Sequence, residues 1–439
     1  MMEYFNFNGI TSNIDDVVVS NPKRLNNKGY ETWYPYYAGF SSDFVLNILN
    51  SLALDSNTFI ADPWNGSGTT TLMASKKGYQ SIGFDLNPVM IIAAKATLLN
   101  TSEFSSLLPL AHDIISKSST KSEDEESLSD PLTTWFIPSS ALFIRRIEKS
   151  IQRLLVESTT YSYLKASAKV NDLSCLASFY YVALFRTLRQ LTSSYYTSNP
   201  TWIKIPDKKN RLRPNQSLVL ETFKNEVTSM LFAIQESGFA EGAYSSLRLA
   251  SSSAIPLESE NVDLIITSPP YCTRIDYAVA TLPELTLLGF HVDEDFKVFR
   301  SSLIGNSTVP KKLPKVCYEW GATCNKFLKQ VLTHSSKASA SYYFKNHVQY
   351  FDSIYNSIIE IKRVLKPGGC CILVVQDSYY KDIRNDLATI IKEMFDNNGV
   401  NLIRQENFIS ERNMDRINPN NKKYRHQTRP VESVLFLRN

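Results

Sequence analysis

Thr58-Phe-Ile-Ala-Asp-Pro-Trp-Asn-Gly-Ser-Gly-Thr-Thr70 is the stretch that decides the fold. An apolar, β-prone run from Thr58 to Ala61 stops at turn-forming residues, and a helical pattern follows from Thr70 to Lys77. Gly66 and Gly68 permit positive φ and close backbone approach, so a ligand can lie over the loop against the helix N-terminus. No lysine follows, as a phosphate-cradling P-loop would need. Alone, this loop would be no more than a tight strand-to-helix turn. Working outward, a second strand from Ser81 to Phe84 ends in Gly83-Phe84-Asp85. An acid at the tip of strand two is where a doubly wound fold holds ribose hydroxyls, because a carboxylate accepts two hydrogen bonds in a fixed fork. By itself Asp85 would as readily cap the helix that follows Pro88. The Gly-rich loop at this distance makes the ribose role the expectation.

Two more buried-strand patterns lie far downstream: Val262 to Thr267, and Cys371 to Val375 after the turn Lys366-Pro-Gly-Gly369. Helical patterns alternate with the strands at Thr70 to Lys77, Val89 to Leu99 and Phe351 to Val364. Such alternation predicts an α/β protein with a doubly wound, mostly parallel sheet and helices on both faces. From about Leu132 to Ser237 the rhythm is interrupted by helical patterns alone (Ser139 to Val156, Leu176 to Leu191, Leu218 to Ser237), which reads as an inserted helical region. The expected organisation is a first half over residues 1–115, the insert over 116–246, and a second half over 247–439 with a further insertion at about 288–337. Ser116 to Asp130 is nearly devoid of apolar residues and reads as an exposed loop.

Thr267-Ser268-Pro-Pro-Tyr271 directly follows the strand Val262 to Thr267. The prolines fix φ and remove their own N–H groups, so the loop presents acceptors without competing backbone donors. The Ser268 hydroxyl and the Pro269 carbonyl can receive the two hydrogens of an exocyclic amine, Pro270 stiffens the loop, and Tyr271 offers a flat face to a ring. The bland alternative is a rigid Pro-Pro turn with a buried tyrosine.

Together these residues resemble the S-adenosylmethionine-dependent DNA amino-methyltransferases, which modify exocyclic nitrogens of DNA bases. Asp62 to Thr70 looks like that family's DPF-x-G-S-G-T-T motif, with Trp64 in the aromatic position, and Ser268 to Tyr271 looks like its (D/N/S)-P-P-(Y/F/W) motif. Trp33-Tyr-Pro-Tyr-Tyr-Ala-Gly-Phe40 resembles the motif that walls the cofactor pocket. The resemblance extends to Arg274-Ile-Asp-Tyr277, Pro283-Glu-Leu285 and Arg363-Val-Leu-Lys-Pro-Gly-Gly369, and covers about Gly29 to Asn100 and Leu247 to Asn439. It implies a Rossmann-like methyltransferase sheet and S-adenosyl-L-methionine as cofactor. The residues that would hold it are Tyr34, Tyr36, Phe40, Asp62, Pro63, Trp64, Gly66, Ser67, Gly68, Thr69, Asp85 and Leu86. Family members often carry Gly-Asp at the end of strand three; here the aligned stretch is Ala250-Ser251-Ser-Ser253, so the adenine contact is replaced by a hydroxyl, with Ser251 the candidate, or by a backbone group, or is absent.

The resemblance implies a methyl transfer aligned in line, with Ser268, Pro269, Pro270 and Tyr271 as catalytic residues and cytosine N4 favoured over adenine N6. Cys272 follows the motif, but enzymes that attack a ring through cysteine use Pro-Cys, and here Tyr271 follows the proline; no nucleophilic role is expected. The target base would have to leave the duplex. Asp377 and Glu432 are carboxylates where loops border the pocket, and either could be structural. Asn306, Lys311 and Lys312, in the later insertion, could approach the substrate.

Composition narrows the partners. The 439 residues are 43% hydrophobic and 21% charged, enough to bury a large core, and 47 Lys and Arg against 43 Asp and Glu leave a net charge of only +4. A nucleic-acid surface must therefore be local. Lys204 to Arg213, flanked by Trp202, carries Lys204, Lys208, Lys209, Arg211 and Arg213 against Asp207, a local +4; Arg416 to Arg429, with Lys422, Lys423 and Arg425, carries +5, so the rest sums to −5. Both runs are expected to contact DNA phosphates, with solvated loops as the alternative. Six cysteines without a C-x-x-C and five scattered histidines predict no metal and no disulfide framework. The absence of an 18-residue apolar stretch and of a signal-like start predicts no membrane association and a cytoplasmic protein. The resemblance also makes a cognate restriction endonuclease a plausible partner. RNA guanosine N2-methyltransferases share the motif order but usually place an RNA-binding domain ahead of the first motif, where this chain has 61 residues. A catalytically silent binding module would have no need of Gly66, Gly68, Asp85 and Ser-Pro-Pro-Tyr together.

Overall fold

The computed structural model describes residues 14–23, 29–35, 39–120, 127–156, 160–197, 199, 202–237, 242–272, 276–309, 312–409 and 430–439. Its strands are β1 (Phe59–Asp62), β2 (Gln80–Asp85), β3 (Ser245–Leu249), β4 (Val262–Thr267), β5 (Leu365–Gln376), β6 (Ser378–Tyr380), β7 (Ile383–Asn385), β8 (Asn401–Ile409) and β9 (Val431–Arg438). The main sheet runs β3-β2-β1-β4-β5-β9-β8, while β6 and β7 form a separate hairpin. From β3 to β5 every pairing is parallel; β9 lies antiparallel to both β5 and β8. The sequence predicts the mostly parallel sheet correctly, but strand polarity is invisible to an apolar run, so the reversal at β9 appears only in the pairing.

Every residue of β4 is buried, as a strand covered on both faces must be. One face carries the helices Ser42–Ser51, Thr69–Lys76 and Pro88–Thr97, and the other carries Ala322–Thr333, Phe344–Val364 and Leu387–Asp396. β5 begins earlier than the sequence predicts. The Lys366 to Gly369 turn bulges inside it, with Gly368 at φ 78° and a register shift opposite Val262 to Leu264.

The insert is helical as expected, with Pro138–Leu155, Ser167–Asp172, Cys175–Leu191 and Gln216–Ser237. It shares one hydrophobic core with the sheet-covering helices. Phe179, Tyr180, Tyr181 and Phe185 are fully buried in that core, each burial worth roughly 1.5–3 kcal/mol. Polar ties reinforce the join: Lys95 Nζ donates to the carbonyls of Val170, Asn171 and Leu173 at 3.0, 2.6 and 2.7 Å. Asn171 Oδ1 accepts from Leu249 N on edge strand β3 at 2.7 Å, occupying an edge donor. The expected boundaries do not fall between elements. The break at 115/116 lies within the helix Phe104–Ser119, which extends into the stretch read as a loop, and the break at 246/247 lies within β3. Polar composition suggests a loop there, but Leu107, Ala111, Ile114 and Ser118 line the buried side of that helix.

Candidate active site

The C-terminal tips of β1, β2 and β4 open into one cleft, with about 1330 Å³ of empty space when the open solvent at its mouth is included. The loop after β1 turns on glycines at φ 50° (Gly66) and 90° (Gly68). Gly66 lines the cleft and donates its N–H to Asp85 Oδ2 at 3.0 Å. Gly68, expected to touch cofactor, is not among the lining residues. It starts the helix Thr69–Lys76, and a Cβ there would stand 2.7 Å from Ala94 Cβ, so glycine is required for the turn and for helix-to-helix packing. Gly83 on β2 has a comparable constraint, since a Cβ would meet the Asn65 side chain at 2.4 Å.

Asp85 does not cap the helix that begins at Pro88. That cap is Asn87, whose Oδ1 accepts from Val89 N at 3.1 Å, while Asp85 Oδ1 accepts from Asn87 N at 2.7 Å. Each Asp85 oxygen thus accepts a backbone donor, the Leu86 N–H adds its pull, and the carboxylate lines the cleft. Desolvation pushes its pKa up to about 6, against the pull of the N–H groups of Asn87 and Gly66. Asp62 is also pushed up to about 6 by burial, but its Oδ1 is committed to Thr267 Oγ1 at 2.5 Å and Trp64 N at 3.1 Å. It therefore ties the tip of β1 to the tip of β4.

Tyr34, Phe40, Pro63, Trp64, Ser67, Thr69 and Leu86 line the cleft as the sequence suggests; Tyr36 lies outside the described residues. Beyond β3, Ala250 and Ser252 line it rather than Ser251. Ser251 Oγ instead pairs with Ser253 Oγ at 2.9 Å and accepts from Ser253 N at 3.2 Å, closing a serine turn that a linear alignment cannot foresee. The donor set suits an adenosyl sulfonium: a carboxylate for a vicinal diol and the rings of Tyr34, Phe40 and Trp64 beside a cation.

At the tip of β4, Ser268, Pro269, Pro270 and Tyr271 line the same cleft. Ser268 Oγ donates to the Val374 carbonyl of β5 at 2.9 Å and also neighbours the Tyr271 phenol, so its proton is spent and its oxygen is left as an acceptor. No donor reaches the Pro269 carbonyl among the described residues, whereas Tyr350 Oη donates to Pro270 O at 2.9 Å. Tyr271 Oη donates to Glu432 Oε1 at 2.9 Å. Desolvation and the Glu432 charge raise the phenol well above its usual range, and burial raises Glu432. Glu432 therefore anchors the Tyr271 ring. Asp377 is structural, with Arg384 donating to its Oδ2 from Nε at 2.8 Å and from Nη2 at 2.6 Å. Cys272 is buried and pushed up to about 12, a protonated thiol beside His347. Among the described residues no group of His, Cys, Asp and Glu is placed to hold a metal, and no helix is long and apolar enough to cross a membrane.

The basic run of the insert is anchored from beneath. Ile203 bridges to Tyr196, Leu212 bridges to Phe136, and Tyr195 Oη donates to the Asn210 carbonyl. Trp202, Lys204, Lys208, Lys209 and Arg213 are exposed, but Arg211 is half-buried. Lys422, Lys423 and Arg425 lie outside the described residues, as does Lys311. Asn306 is buried and shapes a turn, accepting from Thr308 N at 2.8 Å, and Leu303 and Ile304 of that turn line the cleft. Arg189, Met90 and Tyr277 also line it. Sequence reasoning missed Arg189, because a cation in the apolar pattern of Cys175–Leu191 carries no sign of where its tip points.

Residues 262–436 match the family described as DNA methylase. The chain is 28% identical over 290 residues to the type II methyltransferase M.BsoBI of Geobacillus stearothermophilus, covering 61% of this chain and 54% of that protein. It is 23% identical over 402 residues to the type II methyltransferase M.MvaI of Kocuria varians, covering 86% and 84%, respectively. With the type II methyltransferase M.AvaI of a Nostoc strain it shares 24% over 394 residues, covering 84% and 79%. The aligned region is about half of the first of these relatives and most of the other two. The chain is thus similar to DNA amino-methyltransferases along most of its length.

Proposed function

We propose that this chain is a DNA amino-methyltransferase that transfers a methyl group from S-adenosylmethionine to the exocyclic amine of a flipped base, cytosine N4 in preference to adenine N6. The observation that carries this is the pair of acceptors at the tip of β4, in one cleft with Asp85. Ser268 Oγ is oriented by its bond to Val374, and the Pro269 carbonyl has no donor among the described residues. An aromatic amine has two N–H donors and a lone pair delocalised into its ring. Two acceptors drawing on those hydrogens favour pyramidal nitrogen and stabilise the positive charge that develops there. Tyr271, held by Glu432, supplies the stacking face. Asp85 would take the ribose hydroxyls, and Tyr34, Phe40 and Trp64 would enclose the sulfonium. When bound, S-adenosylmethionine supplies an electrophilic methyl, so the protein's task is alignment, and no covalent nucleophile is needed.

A base within a duplex cannot reach a cleft of this kind, so the target would be extruded, and stacking on Tyr271 offsets part of the unstacking cost. Trp202, Lys204, Lys208, Lys209 and Arg213, all exposed, would contact the backbone, with Lys422, Lys423 and Arg425 as further candidates from the sequence. Serine ahead of Pro-Pro-Tyr supports cytosine N4 within the resembling family. The type II designation of the relatives supports a cognate restriction endonuclease as a partner. The test is expression in a host free of DNA methylation, followed by sequencing that separates 4-methylcytosine from 6-methyladenine. The expected result is 4-methylcytosine at one recurrent sequence. Unmodified DNA from the protein with Ser268 intact would refute the proposal.

A further inference from the structure

Arg189, on the insert helix Cys175–Leu191, lines the cleft. It is the sole cationic side chain lining the cleft among the described residues. Its bonds are nearly all accounted for. Nε pairs with Glu284 Oε1, and Nη2 donates to Tyr34 Oη at 2.6 Å and to the Ala280 carbonyl at 3.0 Å. Nη1 makes no hydrogen bond among the described residues, and the side chain keeps 19% of its surface exposed while Glu284 keeps none. Tyr34 Oη also donates to Glu284 Oε1 at 2.9 Å, and the guanidinium lies 4.7 Å from the centre of the Tyr34 ring. The outcome is a rigid guanidinium with one unspent nitrogen at the cleft.

We infer that Arg189 receives the carboxylate of the amino-acid arm of S-adenosylmethionine through Nη1, so that the helical insert completes the cofactor site. This rests on the cofactor reading above. A sulfonium has three arms. With ribose at Asp85 and methyl toward Ser268, the third arm is directed to the remaining wall, where Tyr34, Phe40 and Arg189 stand. The other charged side chains lining the cleft, Asp62 and Asp85, are acids that would repel a carboxylate. Glu284, Tyr34 and Ala280 fix the guanidinium in advance, so little side-chain freedom is lost on binding.

The test is calorimetric titration of the full chain with S-adenosylmethionine, its decarboxylated form and 5′-methylthioadenosine, which lacks the whole arm. The unmodified protein should bind the carboxylate-bearing ligand about tenfold or more tightly than the decarboxylated one. Arg189→Gln, made alone and with Glu284→Gln to avoid an unpaired buried acid, should erase that preference and leave the decarboxylated ligand within about twofold. Equal affinity of the unmodified protein for the first two ligands overturns the inference, as does a loss in the variants that is equal for all three. A specific loss of DNA affinity in Arg189→Gln, with the ligand preference intact, also overturns it and assigns the residue to phosphate contact. Failure of the unmodified protein to bind any of the three removes the cofactor reading itself.

Discussion

The tips of β2 and β4 are both polar ends of buried parallel strands facing one cleft, yet they are built in opposite ways. At β2 a carboxylate gathers backbone donors: Asp85 accepts from Gly66 N and Asn87 N, and glycine and Asn87 shape the chain to deliver them. At β4 two prolines remove donors, and Ser268 gives its one proton to β5, so acceptors are left facing the cleft. Two strands of one sheet, with β1 between them, can thus suit unlike partners, because the identity of the loop residues, rather than the strand, sets which hydrogen-bonding groups remain unspent. The first tip is built to accept from a diol, and under the proposed function the second would accept from an amine.

The sharpest way to break this division is Asp85→Ala. It removes two prospective charge-assisted hydrogen bonds worth ~1.5–3 kcal/mol each, so cofactor affinity should fall by roughly 100-fold to 10,000-fold in a calorimetric titration. Ser268→Ala should instead leave cofactor affinity unchanged and lower single-turnover methylation by about 100-fold, the scale of losing one preorganised group at a developing charge. Tyr271→Ala should retain cofactor binding and weaken engagement of a DNA substrate by roughly 1–3 kcal/mol of stacking, read in a competition assay. An equal loss of cofactor affinity in Asp85→Ala and Tyr271→Ala would erase the contrast between the tips.

Proton linkage sharpens it further. Ribose hydroxyls donating to Asp85 favour its charged form, so cofactor affinity should rise as pH increases through about 6 and then level off, with about a tenfold loss per pH unit below that value. The ligand-free protein should respond in the opposite sense. Asp62 and Asp85 have pKa values raised above 3.8, so their stabilising contribution is full below about 3.8 and lost as pH rises through about 6. Thermal melts with and without cofactor across that window test both signs. The smallest effect belongs to the periphery: Lys208→Ala should weaken DNA binding a few-fold and reduce the slope of log affinity against log salt by about one.

The two loops at the strand tips were legible because each rests on local chemistry. Gly66 and Gly68 need positive φ, Asp85 ends a strand, and Pro269 and Pro270 lack N–H groups; such facts need no knowledge of what packs nearby. The sequence was less informative where a residue's role depends on a distant partner. Gly68 serves Ala94, Ser251 closes on Ser253 while Ser252 turns to the cleft, and Glu432 reaches Tyr271 across 161 positions. The insert was visible as a break in rhythm, but its edges were not, since the helix Phe104–Ser119 is amphipathic and its exposed face is what dominates the composition.

By itself the sequence determined a mostly parallel α/β sheet, a glycine loop with an acid at the next strand tip, a donor-poor Pro-Pro loop, and a positive charge concentrated in two runs. Periodicity, φ restrictions and side-chain chemistry are all properties of short stretches of chain. Only the tertiary structure decided that β9 runs against its neighbours, that Asn87 rather than Asp85 caps its helix, and that Arg189 of the insert stands beside Tyr34 and Glu284 at the cleft. Those outcomes depend on which surfaces bury one another and which polar groups are then left to find partners, a condition set by the whole chain at once.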